Sequence, residues 1–171
     1  MTDDDTRTLT DERRRLMHEL EVERNQLIRN IETCRIRDID RPFVDRWSLK
    51  DIVGHVATWE AEFVTALRDI RAGQKPAYLS LSPEQRDEWN EDHVERKRDL
   101  NFWSLLEQLR GGRARLLEEI EHFSDEDLLG DGSPSGAVVR EAIEHDREHW
   151  HRMAALLAGL ESDRRLRPRA S

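Results

Sequence analysis

A single cysteine, Cys34, stands in 171 residues, so no disulfide can form within the chain. No apolar run approaches the ~18 residues that a membrane-spanning helix needs. The opening residues Met1-Thr2-Asp3-Asp4-Asp5 are acidic and lack an apolar signal region. Positive charge is also in short supply: 28 Lys and Arg face 37 Asp and Glu, a formal net charge of −9. Neutralising phosphates needs a basic face, so nucleic acid is not an expected partner. The one basic cluster, Arg164, Arg165, Arg167 and Arg169, reads as a solvated end. These absences lead to the expectation of a soluble, cytoplasmic protein with no membrane association.

Apolar residues make up only 36% of the chain, but five Trp and regular Leu, Val and Ile spacing argue against disorder. The length fits one domain over 1–171, with a bundle at about 11–160 and short disordered termini. A chain of this size buries roughly 70% of its unfolded surface and needs no metal or disulfide to fold.

The periodicity is helical almost throughout. Leu16, Leu20, Leu27 and Ile31 form one stripe in a segment of about 11–34. Residues 35–46, with Pro42, break the pattern. Ser48 and Asp51 have the spacing of a capping box, and Leu49, Ile52, Val53, Val56, Trp59, Phe63, Leu67 and Ile70 follow to about Arg71. Ser82-Pro83 starts a shorter helix over 83–97. Asn101 reads as the cap of a helix over 102–122, which carries Gly111-Gly112 at some cost. A turn-rich stretch, 124–136, precedes a last helix from about Ser135 to Leu160. Four long amphipathic helices without a strand pattern predict an all-α four-helix bundle. The long connection over 72–101 allows a crossover, so the second and third long helices need not be antiparallel.

Seven His are present, and three of them interrupt apolar stripes. His145 and His149 are one turn apart and in register with Ala142, Met153 and Leu156. His151 falls about 200° around the helix from His149, on the solvent side. His55 lies among Ile52, Val56 and Trp59. An HxxxH pair on a charged helix reads either as surface or as a metal-binding pair, and a lone buried His as a core residue bonded to a carbonyl. Three inward His on two helices can instead satisfy one another through a divalent cation. His18 and His122 sit among charged residues and read as solvated.

The segment Trp47-Ser48-Leu49-Lys50-Asp51-Ile52-Val53-Gly54-His55-Val56-Ala57-Thr58-Trp59-Glu60 resembles the second-helix motif of the DinB-like four-helix bundles, closest to their ClbS/DfsB branch. Trp89-Asn90 and Phe123-Ser124-Asp125-Glu126-Asp127-Leu128 resemble that branch too. His145 and His149 fall where the superfamily places its C-terminal HxxxH. The Arg-Gly-Gln that often follows the final His is absent; the chain reads His149-Trp150-His151-Arg152-Met153.

The resemblance implies an up-down-down-up bundle with a divalent metal, zinc or nickel, held by His55, His145 and His149. It also implies one of several activities: thiol-dependent isomerisation, S-transfer, or inactivation of a reactive natural product in detoxification or self-resistance, a cyclopropane hydrolase among them. Three protein ligands leave a coordination position open for a water or a thiolate. Glu60 and Asp146 are candidate bases beside the metal. Trp47, Trp59, Trp89 and Asn90 are candidate walls of a substrate pocket, with His93 beside them. The expected partners are a small-molecule substrate and a low-molecular-weight thiol, and a homodimer stays open. The competing reading is a non-catalytic bundle that sequesters a ligand or serves as a structural partner, without metal.

Overall fold

The structure, a computed structural model, describes the backbone of residues 3–34, 38–44 and 46–166, and side chains over 7–34, 38–42 and 46–159. The architecture is all-α. Its elements are α1 (Asp3–Thr33), a ribbon of β1 (Pro42–Val44) and β2 (Trp47–Ser48), α2 (Leu49–Arg71), a 3₁₀ turn (Ala77–Ser80), α3 (Pro83–Lys97), α4 (Phe102–Ile120), α5 (Asp125–Leu129) and α6 (Pro134–Leu166).

The helix starts follow the capping chemistry. The Ser48 side chain accepts from the Asp51 amide while the Asp51 carboxylate accepts from the Ser48 amide. Ser82 and Gln85 do the same for α3, with Pro83 in the first turn. Asn101 accepts from Ser104 N–H at the start of α4. Before α6, Ser133 Oγ accepts from Gly136 N–H, with Pro134 first in the helix.

Three boundaries differ from the sequence pattern. The stretch 35–46, expected as a plain break, contributes Pro42–Val44, which pairs antiparallel with Trp47–Ser48. The turn-rich 124–136 contains α5, capped by Ser124 and buried through Leu128 and Leu129. The outer helices start earlier and end later than 11 and 160, at Asp3 and Leu166. Charged residues carry both extensions, which hides them from an apolar-stripe reading. Residues 1–2 and 167–171, at the termini expected to be disordered, lie outside the described residues, Arg167 and Arg169 with them.

Contacts along the helices set their directions. Gly54 lies beside Leu105, Glu60 pairs with Arg113 and Arg68 with Glu119, so α2 and α4 run parallel. Leu16 and Leu20 share an apolar cluster with Val138 and Ala142, whereas Leu27 and Ile31 share a second with Met153. Helices α1 and α6 therefore also run parallel. Phe63 and Leu67 belong to the first cluster and Ile52 and Val53 to the second, which sets α2 against α6. The result is the up-down-down-up order, with the long connection through α3 as the crossover. Among the described residues, no helix is long and apolar enough to cross a membrane.

Candidate metal centre

The three stripe-interrupting histidines meet between the two apolar clusters. His55 Nε2 is 3.1 Å from His145 Nε2, and His149 Nε2 is 3.3 Å from His145 Nε2. One nitrogen from each imidazole lies within 4.8 Å of the others. His55 is buried; His145 and His149 are half-buried.

Burial disfavours a charged imidazole at each position. It pushes the His55 pKa down to about 3, helped by His149 and the Lys97 ammonium. Burial likewise holds His145 well below the ordinary histidine range, with His149, His55, Arg24 and Arg86 adding to the effect. His149 is lowered by burial as well, against the pull of Glu148 and Asp146. Three neutral imidazoles are the protonation state that a divalent cation requires. Zn–N bonds of ~2.0–2.1 Å around a tetrahedral ion put ligand nitrogens roughly 3.3–3.4 Å apart, so the closest contacts here match such an ion. An all-imidazole donor set suits a divalent transition metal, zinc, copper, iron and nickel alike.

Aromatic side chains surround the cluster. Trp47, on β2, lies with its ring centroid 4.8 Å from that of His55. Trp59 lies 5.9 Å and Phe63 6.1 Å from His145. Trp89 of α3 packs 4.9 Å from Trp59, and Asn90 Oδ1 accepts from Trp59 Nε1 at 2.8 Å. His93 packs its ring 3.9 Å from Trp89 and bonds that residue's carbonyl oxygen through Nδ1. Of the four sequence-named wall residues, Trp47 and Trp59 thus pack on the triad, whereas Trp89 and Asn90 contact Trp59. Trp47 and Asn90 also line a cleft of about 550 Å³ together with Arg46, Asp87, Glu88 and Glu91. His18, His122 and His151 are exposed.

Glu60 and Asp146 are each 1% exposed, and guanidinium groups occupy both. Arg24 donates Nε to Asp146 Oδ2 at 2.8 Å and Nη2 to Asp146 Oδ1 at 2.9 Å, and the same Nη2 reaches Glu60 Oε2 at 2.8 Å. Arg113 mirrors this, with Nε to Glu60 Oε1 at 2.6 Å, Nη2 to Glu60 Oε2 at 3.3 Å and Nη2 to Asp146 Oδ2 at 2.9 Å. The remaining Nη1 groups bond the carbonyls of Leu109 and Leu20. Among the described residues no hydrogen bond joins either carboxylate to an imidazole. Two positive and two negative charges, one from each long helix, form a neutral buried layer.

Sequence reading missed Arg24 and Arg113. A signal was there: Arg24 falls between Leu20 and Leu27, and Arg113 between Leu109 and Leu116, each in register with a core stripe. They interrupt those stripes as the histidines interrupt theirs.

The chain is an up-down-down-up helical bundle with three inward imidazoles, on its second and last long helices, that could hold a metal ion. The family model described as the DinB superfamily matches residues 19–155, a span that includes all three histidines, and the chain belongs to that superfamily. No curated protein and no solved structure gives a significant match to the chain.

Proposed function

We propose that the protein is a metal-dependent enzyme acting on a small, reactive electrophile, as a hydrolase or a thiol S-transferase. The observation that carries this reading is the convergence of His55, His145 and His149 through Nε2 atoms 3.1 and 3.3 Å apart. A divalent cation bound there supplies Lewis acidity and an open coordination position.

The chain's own residues do the rest. The imidazoles bind the cation in neutral form. Trp47 and Trp59 pack their rings on the imidazoles, and aromatic faces at that position favour a hydrophobic or aromatic substrate. Asn90 fixes the Trp59 indole through its 2.8 Å hydrogen bond. The likeness of the helix-two motif to the ClbS/DfsB branch supports a detoxification or self-resistance role.

Metal content of the purified protein tests the reading first, followed by titration of metal-free protein with zinc and cobalt. A panel of strained-ring electrophiles, with and without low-molecular-weight thiols, tests the chemistry. A protein that neither retains nor binds a divalent metal overturns the proposal. Metal binding without turnover on the panel favours the ligand-sequestering bundle.

A further inference from the structure

The geometry points to Arg24, Glu60, Arg113 and Asp146 as a register clamp that positions the metal ligands; this rests on the metal reading above. Glu60 and Asp146 become positioning residues under this proposal, in place of the base role expected from sequence.

The argument begins with how little tolerance the site has. One residue of rise along a helix is ~1.5 Å and one residue of rotation ~100°, so a one-residue slip of α2 against α6 carries His55 away from His145. The apolar clusters on either side keep each helix's buried face inward, but apolar contacts are less directional than charge-assisted hydrogen bonds and fix the finer axial and rotational offsets less sharply. Paired forks are directional. Glu60 lies five residues after His55 on α2, and Asp146 directly follows His145 on α6. Each carboxylate takes a two-pronged contact from one guanidinium and a single bond from the other. Shifting either helix breaks several charge-assisted bonds at once, in a place where arginines are only 5% and 8% exposed. The two arginines come from α1 and α4 and are themselves fixed on the Leu109 and Leu20 carbonyls. All four long helices are thereby indexed at the level of the triad.

Gly112 provides an independent observation. A Cβ there would stand 2.9 Å from Glu60 Cγ and 3.2 Å from Glu60 Cβ. Glycine in mid-helix is unfavourable, yet here it leaves the space in which Glu60 reaches the arginines.

Buried ion pairs are weak sources of stability and can be replaced by apolar groups of similar volume, while fixing register is their best-attested use. The test follows from that separation. Arg24→Met, Glu60→Leu, Arg113→Met and Asp146→Leu are combined in one full-length variant. Helix content and melting temperature report the fold; zinc affinity and the visible spectrum of bound cobalt report the site. The expected result is a folded variant whose zinc affinity falls roughly 10–100-fold, with an altered cobalt spectrum. A folded variant with wild-type affinity and spectrum overturns the clamp and leaves the metal reading intact. Wild-type protein that binds no metal overturns the metal reading, and the clamp with it. Should the apolar variant not fold, Arg24→Lys with Arg113→Lys keeps the charges and removes the forks. It is expected to lose affinity in its folded fraction, and wild-type affinity there overturns the clamp.

Discussion

Glu60 passes so close to the backbone of Gly112 that a methyl group on that glycine would lie 2.9 Å from Glu60 Cγ. Its neighbour Gly111 is different, since a Cβ there meets only the Arg115 guanidinium, at 3.6 Å. Gly111→Ala is therefore expected to stabilise the protein by about 0.5–1 kcal/mol, the ordinary helix-propensity gain. Gly112→Ala gains the same propensity but displaces Glu60 from the arginines, and is expected to cost about 1–3 kcal/mol net. Urea denaturation of the two variants reads the contrast. Equal and favourable effects would show that Glu60 moves aside freely.

Removing one charge of the buried layer differs from removing all four. Glu60→Leu alone leaves two guanidiniums facing one carboxylate in a region where Glu60 and Asp146 are 1% exposed. The expected cost is about 3–5 kcal/mol, against a near-neutral effect for the fully apolar replacement. Denaturant midpoints of the two variants decide it. A single variant as stable as the fourfold one would mean that water or a helix shift already neutralises the layer.

The helices were legible because their start signals are local. Ser48 with Asp51, Ser82 ahead of Pro83, and Asn101 stand at the helix starts as the sequence predicts. The three histidines were legible because an imidazole in an apolar stripe has few explanations. Arg24 and Arg113 interrupt stripes equally, yet in a chain that is 38% charged an arginine beside a stripe reads as solvated. Only the tertiary pairing with Glu60 and Asp146 separates a buried guanidinium from a surface one. The ribbon at Pro42–Val44 was illegible for another reason: its pairing with Trp47–Ser48 is too short to show a period of two.

Tyr78 is the chain's one tyrosine, so tyrosinate absorbance reports it alone. Its ring is 2% exposed and its hydroxyl donates to Glu141 Oε2 at 2.8 Å. Burial first, then the hydrogen bond and charge of Glu141, raise its pKa well above the usual phenol range, with Arg86 opposing. A folded-state pKa raised above the unfolded value of ~10 means the stabilising contribution is present below pH ~10 and is lost as pH rises towards the folded value. The native protein is expected to show no tyrosinate signal at pH ~10, while urea-unfolded protein titrates there. Glu141→Gln removes one cause and is expected to lower the native transition, leaving it above the unfolded one. A native transition at pH ~10 would show that the phenol is open to solvent.

The His145–His149 helix face yields an ordered prediction. His149 Nε2 approaches His145 Nε2 to 3.3 Å, whereas His151, two residues on, is exposed and packs its ring 3.8 Å from Trp150. His149→Ala removes one of three ligands, and a cation held by two imidazoles is not expected to survive dialysis. His151→Ala is expected to retain the metal as the wild type does. Both variants should fold, because the apolar clusters around Leu20, Phe63 and Leu116 and around Leu27, Leu105 and Met153 lie on either side of the site and are untouched. Metal analysis after dialysis gives the order, and circular dichroism checks the fold. Loss of metal in the His151 variant, with retention in the His149 variant, would place the coordinating face of α6 on its other side.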